Sequence, residues 1–492
     1  MKKLLKERPL LVIILFFTLL RLAAIALMGL TPQDAYYSYY SENLSLSYFD
    51  HPPMVAYMVW FFAQIFGRSL FALHATNFVV TALTLVVLYF FLKKILSGDN
   101  LKIAFILIIP TPLITVLSVN TTPDVPLLFF WSVTLLLAYN AVKSGNWYWW
   151  LLAGVSSGLA FDSKYTGIFL PAGLFLFLLI SKQHRSKIIS PGFFMYAGGF
   201  ALAILPVLIW NIQNNFISFK YQSAERAAGL SGFSFDPLLF PGFLGSQMVL
   251  ALPLLFFVSY IVGGKLIKKY FKNEQVSSDL LFAASFALPM LFSFTAISFI
   301  YWVKINWIMP VFLSALIMVA PYIKSGKALK IQTLFSVVIH LALLVQLIWM
   351  PVEIKSDDTW IGWRELTDKI EEIKEENPDD FIFSDNSYKI TAAVNFYLDE
   401  HMYAGNIIDR FAYQFALDDQ DLSHLEGLDA YYVTSSRYRK KRLREGPVEQ
   451  LLAPYFSSVK LADSLEIRDR DGDTQRVFYF YDCDNYSAPD KN

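Results

Sequence analysis

Residues 9–30 read PLLVIILFFTLLRLAAIALMGL, and residues 29–70 continue GLTPQDAYYSYYSENLSLSYFDHPPMVAYMVWFFAQIFGRSL. The first run is long enough to cross the roughly 30 Å hydrocarbon core of a bilayer as a helix. No small-residue cleavage site closes it, so it reads as a retained signal-anchor. Lys2, Lys3, Lys6 and Arg8 precede it and predict a cytoplasmic N-terminus. The second stretch is polar and carries Asp34, Glu42, Asp50 and His51 among tyrosines and phenylalanines. Ionisable groups next to membrane spans are costly unless they line a wet cavity or lie at the surface, which makes them functional candidates. The rigid His51-Pro52-Pro53 and the aromatic density predict a structured, half-buried segment rather than a solvated loop.

Working outward, the composition agrees with a chain that lives in a membrane. Of 492 residues, 55% are hydrophobic, 17% aromatic and 17% charged, and the mean hydropathy is +0.44. That is too apolar for an aqueous protein of this size and indicates a polytopic membrane protein. Forty-one basic and 41 acidic side chains cancel, so no bulk nucleic-acid partner is implied. The single cysteine, Cys483, excludes an intrachain disulfide framework and a cysteine-rich metal site.

Apolar stretches near 9–30, 70–92, 101–119, 125–142, 147–162, 166–181, 192–212, 237–263, 279–299, 304–322 and 331–350 give about eleven transmembrane helices. Charge asymmetry supports that count. With an inside start, the inside connections hold Lys93, Lys94, Lys102, Lys143, Lys182, Arg185, Lys187, Lys265, Lys268, Lys269, Lys272, Lys324, Lys327 and Lys330. The outside connections before residue 350 hold only Arg68, Lys164, Lys220, Arg226 and Lys304. The expected fold class is therefore a membrane all-α, polytopic helical bundle over residues 1–350. A soluble α/β domain over 351–492 follows on the extracytoplasmic side of the plasma (inner) membrane. In that tail, 363–375 and 389–398 read as helices, and 381–384, 431–434 and 477–481 as strands.

Several motif matches lose to simpler readings. Gly154-Val155-Ser156-Ser157-Gly158 has the nucleophile-elbow spacing, but it sits inside an apolar helix, where small residues serve close packing. Asp469-Arg470-Asp471-Gly472-Asp473 resembles a calcium loop whose glycine is misplaced and whose closing glutamate is absent; a hairpin turn fits better. The six histidines lack metal-ligand spacing, and His74 and His340 sit in apolar helices, where hydrogen-bonded packing is the default. No glycine-rich phosphate cradle or dinucleotide fingerprint is present.

What survives lies on separate outside loops: the carboxylates Asp34, Asp50 and Asp124, with His51, Lys164, Lys220, Arg226 and Lys304 as cations. Carboxylates deprotonate or orient a hydroxyl, and cations hold a phosphate and stabilise it as it departs. Asp124 lies between Pro123 and Pro126 at a predicted helix start, where the dipole also favours a carboxylate.

Four segments carry a resemblance: TPQDAYYSYYSENLSLSYFDHPPMVAY (31–57), NTTPDVPLLFFW (120–131), GLAFDSKYTGIFLPAG (158–173) and KINW (304–307). Together they resemble the polyprenyl-phosphate-sugar-dependent membrane glycosyltransferases. This C-type superfamily includes the protein O-mannosyltransferases and the bacterial aminoarabinose transferase of lipid A. The resemblance covers roughly residues 10–320. It implies a multi-helix fold with an outer-face active site, a polyprenyl-phosphate sugar donor, and inverting transfer to a lipid, glycan or protein acceptor. Asp34 then matches the acidic residue of the first outer loop that serves as base or acceptor anchor, although Gln33 stands where relatives often have a second acid. Asp124 matches a second acidic position and is the other catalytic candidate. Asp50, His51 (where relatives carry lysine), Lys164, Tyr165, Arg226 and Lys304 are expected to bind donor phosphate or substrate. No motif demands a metal, although some relatives use a divalent ion. The rival reading is a transporter or flippase of lipid-linked saccharides; charges clustered at the outer boundary rather than the midplane argue against it.

Overall fold

The computed structural model describes residues 9–225, 235–354, 356–398, 401–437 and 447–488, and for 224 and 225 the backbone alone. The chain divides into two compact units. The first holds 1–26, 51–58 and 74–344; the second holds 27–50, 59–73 and 345–492.

The first unit is helical. The helices Pro9–Leu27, Leu70–Leu92, Asp124–Ser144, Pro191–Gln213, Ser278–Ile297 and Gly326–Trp349 are each long and apolar enough to cross a membrane. Two further apolar stretches are broken: Gly98–Ile108 meets Pro112–Val119 at 58°, and Leu239–Leu250 meets Pro253–Phe271 at 114°. Counting each broken pair once brings the number to eight. The apolar stretches near 147–162, 166–181 and 304–322 form shorter helices, Trp147–Phe161, Phe169–Ile180 and Met309–Val319.

The outer surface of this unit is apolar. Leu202 is 67% exposed and Leu334 65%. Large apolar side chains exposed to this degree along spanning helices are costly in water and ordinary against lipid. Inside, side-chain hydrogen bonds tie helix to helix: Trp131 donates to Ser314 at 2.9 Å, Thr134 to Ser156 at 2.9 Å and Tyr196 to Ser157 at 2.9 Å. Gly154, Gly158 and Gly199 let Trp147–Phe161 and Pro191–Gln213 cross closely. A Cβ at Gly154 would collide with the Tyr196 carbonyl, and one at Gly199 would stand 2.6 Å from the Leu151 carbonyl oxygen. The GVSSG motif is thus a packing surface.

Backbone groups released at the breaks are satisfied by neighbouring helices, as an apolar surrounding requires. Pro110 and Pro112 interrupt the first pair; Arg21 donates to the Ile109 carbonyl and Ser336 to the Pro110 carbonyl. Arg21 also reaches Thr115 at 3.3 Å, and Thr115 bonds His340 at 2.7 Å. Packing through hydrogen bonds, expected for His340, is what the structure shows. At the second break Leu252 has φ +65°, and the Leu254 N–H finds the Gln332 side-chain oxygen at 2.7 Å.

The second unit centres on a four-stranded sheet of order β1-β2-β4-β3. The strands are β1 (Phe381–Phe383), β2 (Ala430–Ser435), β3 (Phe456–Arg468) and β4 (Thr474–Tyr486). β1 pairs parallel with β2, and the other pairings are antiparallel, with Val433 opposite Phe480. One face packs Ile382, Val433, Phe478 and Phe480 against Trp363, Leu366 and Ile370 of the helix Trp363–Glu376. The other buries Phe383, Tyr432, Tyr481 and Phe456 with Ile407, Leu425 and Leu452. Arg476, fully buried, lies 4.2 Å over the Trp363 ring and donates to the Ile361 carbonyl at 2.8 Å and to Thr359 at 2.7 Å. Asp469–Asp473 forms the β3–β4 turn: Gly472 has φ +90°, and the Asp469 carboxylate accepts from the N–H groups of Asp471 and Asp473.

The polar stretch 29–70 is mostly helical, with Pro32–Glu42 in the second unit and the helix Met54–Phe66 following His51-Pro52-Pro53. Within the second unit Tyr36 stacks on Tyr388 at 4.5 Å, at the start of the helix Lys389–Tyr397.

Candidate active site

In the first unit the buried polar centre is Asp124. It is the first residue of its helix, after Pro123, which supplies no side-chain cap. Lys164 Nζ donates to Asp124 Oδ1 at 2.8 Å and Oδ2 at 3.0 Å, with the two side chains 10% and 2% exposed. Asn306 Nδ2 donates to Asp124 Oδ2 at 2.6 Å. Two donors from separate segments fix the direction of this buried carboxylate. The segments NTTPD, SKY and KINW therefore converge on one carboxylate.

Asn306, rather than Lys304, makes that contact; Lys304 is exposed two residues away. A polar residue in an aromatic belt carries little sequence signal beside a lysine, which is why the amide escapes notice. The Tyr165 hydroxyl lies 2.7 Å from that of Ser218, and its ring 5.3 Å from Phe219. Asp162 ends the helix before Lys164, and its backbone carbonyl accepts the Met54 N–H at 3.0 Å. That bond ties the turn bearing Lys164 to the start of the helix that follows His51-Pro52-Pro53. His51 is partly buried there. Arg226 lies outside the described residues.

In the second unit Asp34 is fully buried and completes a capping box at the start of Pro32–Glu42. Thr31 Oγ1 donates to Asp34 Oδ2 at 2.7 Å and the Thr31 N–H at 3.2 Å, while the Asp34 N–H donates back to Thr31 Oγ1 at 3.2 Å. The Thr-x-x-Asp spacing at 31–34 is a legible helix-start signal, so Asp34 has a structural role whatever its chemistry. Asp50 is almost fully buried. It accepts from Tyr36 at 3.2 Å and from Tyr40, whose ring stacks on Tyr48 at 3.8 Å. The Gln414 N–H donates to Tyr36 Oη at 3.1 Å, and the Phe49 N–H to the Gln414 side-chain oxygen at 2.9 Å. Tyr39 donates to Asp418 at 2.7 Å, and burial pushes the Asp418 carboxyl above its ordinary range against the pull of that bond. Asp50 thus sits among phenols, which suits a fixed structural carboxylate better than one presented to a phosphate. No cluster of three or more metal-ligating side chains occurs among the described residues.

The architecture is that of a mostly helical membrane protein with a small C-terminal sheet. Its fold is similar to ArnT from Cupriavidus metallidurans in the apo state, with TM-score 0.62, 13% identity, and 96% of this chain and 97% of that one covered. The same enzyme bound to undecaprenyl phosphate matches with TM-score 0.62 and 14% identity over the same shares. An oligosaccharyltransferase from Archaeoglobus fulgidus matches with TM-score 0.52 and 11% identity, over 99% of this chain and 75% of that one. Residues 50–210 match the family model described as dolichyl-phosphate-mannose-protein mannosyltransferase. A lipid A galacturonosyltransferase, RgtD of Rhizobium johnstonii, is 27% identical over 209 residues. That alignment spans 42% of this chain and less than half, 44%, of the relative. These similarities agree with the resemblance in the motifs: residues 50–210 match a mannosyltransferase model, and the fold is that of ArnT.

Proposed function

We propose that the chain is a multi-pass glycosyltransferase of the plasma membrane. It would move one sugar from a polyprenyl phosphate to an acceptor on the extracytoplasmic face, with inversion. In this reading the eleven apolar stretches are eleven crossings, the N-terminus is cytoplasmic, and residues 351–492 form an extracytoplasmic domain. The observation that carries the reading is the buried Asp124–Lys164–Asn306 cluster. Two of its three residues, Asp124 and Lys164, lie inside the stretch matched by the mannosyltransferase family model.

The chemistry follows from the groups. Asp34 takes up the proton of the acceptor's nucleophile, or orients it, as that nucleophile attacks the anomeric carbon. The bond from that carbon to the phosphate oxygen breaks on the opposite face. Both electrons leave with the lipid phosphate, whose growing charge is met by cations. Lys164 is the foremost of these, turned and held by Asp124; His51 and Arg226 are the others. Tyr165 and Lys304 line the donor's approach, while Asp50 acts through the placement of its neighbour His51. The residues require no metal for this step, and a divalent ion remains compatible with it. The acceptor is a glycolipid such as lipid A, another glycan or a protein; the named relative acting on lipid A favours the first. The relatives named above do not favour a transporter of lipid-linked saccharides: one is a galacturonosyltransferase and another an oligosaccharyltransferase by name.

The test is Asp34→Asn in the purified, folded chain. Sugar transfer from a polyprenyl-phosphate donor is expected to fall by 10²-fold or more, the scale of a lost general base, with donor binding kept. Unchanged transfer would remove Asp34 from its role.

A further inference from the structure

Within the second unit a cavity of about 460 Å³ opens between the helix Pro32–Glu42 and residues 59–73. Its apolar wall includes Leu44, Val59, Trp60 and Leu73; its polar side includes Ser38, Glu42, Gln64 and Arg68. Glu42 and Arg68 face each other across it at 3.0 Å, 37% and 38% exposed. Among the described residues they are its only charged lining, so the two charges offset one another and the cavity is polar in two directions. Ser38 donates to Glu42 at 3.1 Å, while Arg68 also donates to the Asn395 carbonyl and lies over the Phe396 ring. Next to the cavity, Trp60, Phe61, Ile65, Phe66 and Phe71 stand exposed, from 41% at Trp60 to 65% at Phe71. This apolar strip is suited to a lipid surface, with a tryptophan where the polar boundary falls.

We infer that this cavity binds the headgroup of a zwitterionic phospholipid of the outer leaflet, its phosphate on Arg68 and its ammonium on Glu42, with the acyl chains along the strip from Trp60 to Phe71. The inference rests on the proposed outer placement of this segment and goes beyond the transfer reaction. A half-exposed ion pair contributes about 0–1 kcal/mol, so opening it costs little. A headgroup carrying both signs replaces that one weak contact with two charge-assisted ones. A purely anionic headgroup would bring its charge against Glu42, and a purely cationic one against Arg68, so the pair selects by repulsion as well as attraction. Gln64, exposed at the rim, adds an amide donor for phosphate oxygen.

The experiment uses the full chain, delipidated in detergent and titrated with phosphatidylethanolamine or phosphatidylglycerol, with bound lipid counted by native mass spectrometry. Wild type is expected to retain phosphatidylethanolamine in preference. Arg68→Gln should weaken binding of both lipids about tenfold, the weight of roughly 1.4 kcal/mol, and Glu42→Gln should abolish the preference. Gln64→Leu, at an exposed position that poses no folding risk, should weaken both lipids by a smaller factor. Equal retention of the two lipids by wild type, or retention unaffected by all three substitutions, would overturn the inference. So would substitutions that raise the KM for a glycolipid acceptor while phospholipid retention stays constant, because the cavity would then belong to the acceptor. Lipid retention is read without turnover, so failure of the transferase reading registers separately in the transfer assay.

Discussion

At the scale of single residues the structure turns on how a membrane protein holds charge. Asp124 and Lys164 are both buried and neutralise one another, with Asn306 as third partner. Taking two ions out of water costs several kcal/mol each, and only close geometry returns it. Removing one partner is therefore worse than removing both. Lys164→Ala should lower stability by about 3–5 kcal/mol, since it leaves Asp124 buried and unpaired. Adding Asp124→Asn to that variant should recover much of the loss, because a neutral amide needs no counter-charge. Thermal unfolding of the two variants in detergent checks this; a double variant no more stable than Lys164→Ala would mean that Asp124 finds another cation. Both ions were legible in the sequence, one by its proline-framed helix start and one by its break between apolar stretches. Asn306 was not, because an uncharged amide in YWVKINW looks like belt decoration until its partner is seen. Asp50 illustrates the reverse: its charge drew notice, whereas its burial among Tyr36, Tyr40 and Tyr48 depends on contacts that no local spacing reveals.

At the scale of elements, apolar length located every long helix of the first unit, because lipid imposes one simple requirement on a spanning segment. It did not reveal the breaks. Those at Pro110–Pro112 and at Leu252 exist because side chains from distant helices, Arg21, Ser336 and Gln332, take over the released backbone groups. Sequence windows average over such partners. The crossing of Trp147–Phe161 with Pro191–Gln213 was partly legible as a small-residue motif, and it sets a sharp expectation. A methyl group at Gly154 meets the Tyr196 carbonyl and backbone, which cannot rotate away. Gly154→Ala should then force the helices apart at a cost of about 1–3 kcal/mol, whereas Gly198→Ala on the facing helix Pro191–Gln213 has open space and should be nearly neutral. Comparing the melting temperatures of the two variants tests the close approach directly, and equal melting would refute it.

At the scale of the whole molecule, the sharp change in composition after residue 350 led to the expectation of strands in the tail, and the sheet lies there. Strand β3 went unread because its exposed, polar-rich run, SSVKLADSLEIR, gains its order from pairing with β4 rather than from an apolar face. Composition also could not show that the compact unit containing this sheet recruits residues 27–50 and 59–73 from far earlier in the chain. Tyr36 stacks on Tyr388, Phe49 bonds Gln414, Tyr39 bonds Asp418, and Arg68 reaches Asn395. Aromatic pairs and hydrogen bonds of this sort contribute about 0.5–1.5 kcal/mol each. Four of them amount to several kcal/mol, a large fraction of the 5–15 kcal/mol that keeps a typical domain folded. Residues 351–492 expressed alone should consequently be markedly less stable than the same residues in the full chain. Hydrogen exchange should show the loss concentrated at 388–418, where the recruited residues attach, with the β2–β4 pairing the last to open. If the isolated fragment instead protects 388–418 as well as the full chain does, these long-range contacts add little, and the C-terminal segment folds on its own.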